Sequence, residues 1–252
     1  MKSIARLFVL SLLLLPAISL AQKADSLKAR ADTLYKQHQE KQALELYQQI
    51  LEQDPDNYEA LWKSSFLYSR IGHRFEDEDK QEQYFNKGIE LAKRALEVNP
   101  DDSQSNFVMS VAMGRKALIS GAKDRVAASR EIKKYADRAI ELDSTNAGAW
   151  HVLGRWNFKV ANLSWLERAA ANTLFGGISG NASNKKAAKA IRKAIELDDN
   201  YILYYYDLAR IYEEMGRDAR AIETCQQAIE LPSLTPDGPG LKKKCQELIQ
   251  DI

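Results

Sequence analysis

AIELDD at residues 194–199 comes back as AIELP at residues 228–232, 34 residues further on. Looser copies stand upstream: ILEQDP at 50–55, ALEVNP at 95–100 and AIELDS at 139–144. A phrase recurring at a fixed period marks an internal repeat, which settles architecture before any single residue does. A period of 34 suits a unit of two antiparallel helices, and the earlier spacings of 45, 44 and 55 are that unit with inserts.

Counting within each unit tests the register. Two helices, A then B, pack closely only if small residues stand at three fixed places. The first place holds Ala31, Ser65, Ser110, Gly154 and Ala209. The second holds Ala43, Gly88, Ile132, Ala187 and Ala221; the third holds Ile50, Ala95, Ala139, Ala194 and Ala228. Ile132 and Ile50 are the exceptions. Trp150, Leu153 and Gly154 add the W-x-x-L-G spacing of tetratricopeptide repeats. The expected fold is therefore all-α: a tetratricopeptide-like α-solenoid of about five helix pairs, with inserts and a C-terminal capping helix.

Residues 1–21 read differently. Lys2 and Arg6 precede an apolar run over residues 7–15, then Pro16, with small residues at Ser19 and Ala21. This is the pattern of a secretory signal peptide cleaved before Gln22, leaving 22–252 as the repeat domain. The alternative, an uncleaved membrane anchor, is too short: residues 7–21 fall below the roughly 20 needed to span a bilayer. No Cys follows the cleavage site to take a lipid. The expected location is outside the cytoplasm, in a periplasm.

The full chain has 252 residues and a formal charge of +1, so no global field draws nucleic acid. With 45% hydrophobic residues nothing suggests disorder. Three histidines, His38, His73 and His151, fall in three different units, and no His/Cys/Asp/Glu cluster has metal-ligand spacing. No P-loop or G-x-S-x-G occurs. The expectation is a protein without enzyme activity, metal or cofactor. Two cysteines, Cys225 and Cys245, lie on faces of neighbouring helices; a disulfide and a pair of small core residues both remain open.

Along the chain, the acidic residues 76–79 read as the first turn of a long helix B, opposing its dipole. In the fourth unit Ser164-Trp165-Leu166-Glu167 is a capping box that starts an inserted helix ending near Phe175. A Gly/Asn-rich loop, residues 176–181, follows. Trp156 and Trp165 are expected to brace that helix against the fifth unit. The last helix offers Lys242, Lys243 and Lys244 outward, as a capping helix should.

In stacked repeats helix A lines the concave groove. One groove row reads Trp62, Phe107, His151 and Tyr206; the next reads Arg70, Arg115 and Lys159; a third adds Arg155 and Arg210. These nine are the candidate ligand or partner contacts. Aromatic residues with arginine make binding hot spots, and arginine suits carboxylate or phosphate. For the aromatics, groove and core both stay open, Trp62 and Phe107 being the first to be swallowed. For Arg70, Arg115 and Arg155 the groove is preferred, because isolated buried arginine is rare.

Residues 151–176, HVLGRWNFKVANLSWLERAAANTLFG, resemble the regulator of microtubule dynamics family. The matching segments are Gly154-Arg155-Trp156, Trp165-Leu166-Glu167-Arg168 and Leu174-Phe175-Gly176. The resemblance implies a tetratricopeptide-like, non-enzymatic protein, whose eukaryotic relatives associate with microtubules and are in some cases membrane-tethered. Microtubules enter as partners through this resemblance alone. It supplies no catalytic residue, and the loop at 177–184 replaces the prolines usual after the family's F-G.

Two functions follow. The first is a scaffold that binds a protein or peptide in its concave groove. The alternative is a carrier, its superhelix closed by the inserts around an apolar cavity with a basic mouth, holding an anionic lipid or amphiphile. The leader generates a direct test. N-terminal sequencing of the mature protein is expected to begin at or within a few residues of Gln22; intact Met1 in a soluble cytosolic fraction would refute export.

Overall fold

A computed structural model describes residues 25–175 and 182–252. The leader, its cleavage site and the loop at 176–181 lie outside the described residues. Among the described residues every regular element is a helix: α1 (residues 25–36), α2 (Glu40–Gln53), α3 (Tyr58–Gly72), α4 (Glu78–Val98), α5 (Ser103–Leu118), α6 (Ala122–Leu142), α7 (Ala147–Ala161), α8 (Trp165–Phe175), α9 (Asn184–Leu197), α10 (Ile202–Glu214), α11 (Asp218–Glu230) and α12 (Gly238–Asp251).

The helices start where short polar side chains take up free backbone N–H groups. Asn57 accepts from Ala60, Asp77 from Lys80, Asn146 from Ala149 and Ser183 from Lys186. Asp77 is thus a cap, and Glu78 and Asp79 fill the first turn of α4, which accounts for the acidic run. The turn from α10 to α11 passes through Gly216 at φ +63, a conformation that glycine adopts without steric cost.

Five antiparallel pairs result: α1 with α2, α3 with α4, α5 with α6, α7 with α9 and α10 with α11. Each pair closes on the small residues of the register. Ala31, Ser65, Ser110 and Ala209 have no exposed surface, and neither do Ala43, Ala187 and Ala221. Ser65 donates its hydroxyl to the Gly88 carbonyl at 2.8 Å, and a Cβ on Gly88 would stand 3.2 Å from Ser69 Oγ and 3.3 Å from the Ser65 carbonyl oxygen. A Cβ on Gly154 would stand 2.5 Å from Ile191 Cδ1 and 3.2 Å from the Ile191 backbone nitrogen.

The insert α8 leaves the α7–α9 pair intact and lies against α6 instead. Ser164 and Glu167 form the expected capping box: the Ser164 N–H donates to Glu167 Oε2 at 3.0 Å, and the Glu167 N–H to Ser164 Oγ at 3.3 Å. Trp156 braces a different neighbour from the expected one. Its Nε1–H donates to the Ser129 carbonyl at 2.8 Å, pinning α7 to α6 rather than to the fifth unit. The side chain of Trp165 lies outside the described set.

The helix α12 covers the end of the stack with Leu241, Cys245 and Leu248. Lys243 and Lys244 are both exposed, and the Lys244 ammonium stands 6.0 Å from the centre of the Tyr206 ring. Cys225 and Cys245 are both fully buried free thiols that share a hydrogen bond, which draws the Cys225 thiol down and pushes Cys245 up. No described helix is long and apolar enough to cross a membrane.

The close contact at Gly154 carries a stability prediction. Gly154→Leu forces bulk against Ile191 and is expected to cost about 1–3 kcal/mol or more. Ser164→Ala loses a cap and is expected to cost about 1 kcal/mol. Urea melts check both; a Gly154→Leu chain as stable as a surface control would overturn the register.

Candidate functional site

Between α5, α6 and α7, beside the start of α8, lies a cavity of about 470 Å³. Its wall is apolar: Val111 on α5, Val126 and Ile132 on α6, and Val152, Trp156 and Val160 on α7. Ile132 is one of the two large residues at a register place that otherwise holds small ones, and it shares a packed cluster with Ala117 and Trp156. The rim carries Arg125, whose Nη1 meets Glu167 Oε1 of the inserted helix at 2.8 Å.

Four sequence-predicted residues converge on this cavity: Arg115, His151, Arg155 and Lys159. One turn apart along α7, His151, Arg155 and Lys159 share a face of that helix. Arg115 comes from α5 and makes no hydrogen bond or ion pair with a described residue. Burial, and then the neighbouring Arg155, push its guanidinium down to about 10.

Asp207, on α10, is the counter-charge, and the sequence reading missed it. Its Oδ2 takes His151 Nε2 at 2.7 Å and Arg155 Nη1 at 3.3 Å. Burial alone would raise its carboxyl; Arg155 and the His151 hydrogen bond outweigh that and hold it at about 2. Burial keeps the His151 imidazole below its ordinary range, although Asp207 pulls the other way. Lys159, at the exposed mouth, is lowered by desolvation and by Arg155 and Arg210. Arg115, Arg155 and Lys159 therefore have Asp207 as the near carboxylate, while Glu167 at the rim is paired with Arg125.

The other five candidates go elsewhere. Arg70 is buried against Glu40 and Asp237. Phe107 packs against Phe66 with ring centroids 5.5 Å apart and sits beneath Gly148, so it is core. Trp62 stands edge-on to Tyr35 at 6.1 Å and packs on two apolar clusters. Tyr206 packs in the last cluster, and Arg210 is exposed beside Lys159 without lining the cavity. The apolar wall contributed by α6 was also unread, because it belongs to a B helix that the groove rule excludes. Among the described residues no three His, Cys, Asp or Glu side chains are placed to hold a metal.

Stacked helix pairs define a tetratricopeptide-like helical-repeat protein. The chain belongs to the family described as Regulator of microtubule dynamics protein 1-3, whose model matches residues 27–252. Regulator of microtubule dynamics protein 3 of Bos taurus is 30% identical over 192 residues, covering 75% of this chain and 40% of the relative. Regulator of microtubule dynamics protein 2 of Homo sapiens is 25% identical over 212 residues, covering 84% and 52%. The chain thus spans about half, or less, of the length of these curated relatives. Among solved structures, a thermophilic TPR protein of Thermus thermophilus superposes with a TM-score of 0.64 at 18% identity, covering 90% of this chain and 99% of that one. That likeness is one of fold.

The buried charges set a pH dependence. A histidine held neutral in the fold refuses a proton that the unfolded chain accepts below about pH 6.5. Its contribution is therefore complete above that value and is lost as the pH falls. Asp207 acts lower, its contribution being lost from about 4 towards about 2. Melting temperature is expected to drop on acidification below about pH 6.5, and His151→Gln is expected to shallow that drop. An unchanged slope in the variant would show that His151 does not titrate with unfolding.

Proposed function

We propose that the protein is a non-enzymatic carrier that holds an anionic amphiphile in the cavity between α5, α6 and α7. The observation that carries this reading is Arg115, a half-buried guanidinium that makes no hydrogen bond or ion pair with a described residue, beside the apolar part of the wall. A charge left unpaired in such a setting is costly, and a bound anion relieves the cost. Arg155 and Lys159 add to the positive excess at the same mouth, and the valines, Ile132 and Trp156 offer an apolar lining to the ligand's body. The volume suits a small-molecule site, which typically spans roughly 300–1,000 Å³.

The scaffold reading needs an unbroken aromatic–basic row along the groove. That row is interrupted: Arg70 is taken up by carboxylates, and Trp62 and Phe107 by packing. An extended peptide along the whole groove is therefore the less supported occupant. The names of the relatives speak of microtubule dynamics; for this chain a microtubule role rests on those names alone. Export, argued from the leader, belongs to the same proposal and would keep the carrier away from microtubules.

Native mass spectrometry of protein purified from its own host is expected to show a co-purified anionic amphiphile. A fluorescent long-chain carboxylate is expected to bind the wild type. Replacing Arg115 and Arg155 together by Ala is expected to weaken that binding by on the order of tenfold or more, the usual weight of hydrogen bonds to charged groups. Replacing Lys243 by Ala is expected to change nothing. A folded double variant that binds as tightly as wild type would overturn the site; a co-purified peptide would restore the scaffold.

A further inference from the structure

The two ends of the superhelix meet. Arg74, just past α3, lays its guanidinium across Asp237, just before α12, with Nε to Oδ1 at 2.6 Å and Nη2 to Oδ2 at 2.9 Å. The same Arg74 donates from Nη1 to Glu40 Oε2 at 2.5 Å. Arg70 completes the cluster, 2.9 Å from Glu40 Oε1 and 3.3 Å from Asp237 Oδ2, with its guanidinium over the Tyr201 ring at 5.5 Å. Two arginines and two carboxylates balance. Glu40 and Arg70 are buried, while Arg74 and Asp237 remain partly open to solvent.

Among the described residues this closure joins no shared apolar cluster beyond the Arg70 guanidinium on the Tyr201 ring. The cluster that holds the first pairs runs from Leu27 to Tyr84, and the cluster that holds the last runs from Ala147 to Ile249; they share no residue. The helices α2, α3 and α4 make no helix–helix contact with α10, α11 or α12. The interfaces inside the stack are packed helix pairs, whereas the described contacts between the ends are made by these long side chains. Partly exposed ion pairs add little stability compared with buried apolar area. Separating the ends therefore costs these side-chain contacts and leaves the repeat interfaces intact.

The closure lies within electrostatic reach of the cavity's cations. His73, next to Arg74, lies within electrostatic reach of Arg115, Arg155, Asp237 and Lys244. Asp237 in turn feels the Arg115 charge.

We propose that Glu40, Arg70, Arg74 and Asp237 form a releasable clasp that closes the superhelix around the cavity and regulates how fast ligand enters and leaves. The ligand part of this inference rests on the carrier reading; the opening itself does not. The closed ring confines exchange to the ends of the lumen, and the open form exposes its side.

The test uses the full mature chain with Asp237→Asn, which removes charge and keeps shape, and Asp237→Lys, which sets three cations against Glu40. Circular dichroism and melts first establish that each variant folds. Small-angle X-ray scattering then reads the end-to-end closure, and stopped-flow release of the fluorescent long-chain carboxylate reads exchange. Losing two charge-assisted hydrogen bonds is expected to shift the open–closed equilibrium by on the order of tenfold or more. The radius of gyration is expected to rise in both variants, more in Asp237→Lys, and probe release to quicken by a similar factor. Lys243→Ala, on the outer face of α12, is expected to match wild type in both. If Asp237→Lys does not fold, Asp237→Asn decides alone. Scattering identical to wild type in the folded variants would overturn the clasp. Expansion in chains that never bind the probe would uphold the opening and overturn the carrier reading instead. Expansion with unchanged release would overturn the regulatory role.

Discussion

Everything in this structure depends on how closely helix A of each unit can approach helix B. The Ser65 hydroxyl on the Gly88 carbonyl, and Gly154 against the Ile191 backbone, show the distance at its shortest. At that separation dispersion contacts and exclusion of water act along the whole length of a pair. The same spacing repeated five times sets the pitch of the stack. Pitch decides that Asp207 of the fifth unit reaches His151 and Arg155 of the fourth, and that the last turn comes round to the first.

The cavity exists where that constraint is relaxed. At Ile132 a large side chain stands at a place usually held by Ala or Gly, and its bulk forms wall beside Trp156. The inserted helix then lies against α6, with Arg125 and Glu167 tying its start to the rim. An insert that merely lengthened a loop would have left the groove as open as elsewhere. Started by a capping box, it is a rigid element, and its position follows from the pairing of α7 with α9 around it.

Charge is handled in two ways inside the ring. At the junction of the ends, two arginines and two carboxylates neutralise one another, and burial is tolerable because each charge has a partner. At the cavity the balance is incomplete: Asp207 serves His151 and Arg155 and leaves Arg115 alone. An arrangement that is neutral at one place and cationic a short distance away directs an anion to the second.

By itself the sequence determined the helix pairs, their register, the capping box of the insert and the capping helix, because each depends on contacts between residues near in the chain. Small residues at fixed intervals, and cap residues before apolar periodicity, are local signals. It also grouped Arg115, His151, Arg155 and Lys159 as groove candidates, since Arg115 and Lys159 share a place in successive A helices and His151, Arg155 and Lys159 stand one turn apart on one helix. Only the tertiary structure decided the fate of Arg70, Trp62 and Phe107, of Asp207 and of Asp237. Whether an inward arginine meets solvent or a carboxylate depends on which distant turn of the superhelix lies opposite. Arg74 and Asp237 are 163 residues apart in the chain, and their meeting depends on small rotations summed over all five units, to which no single segment holds the key.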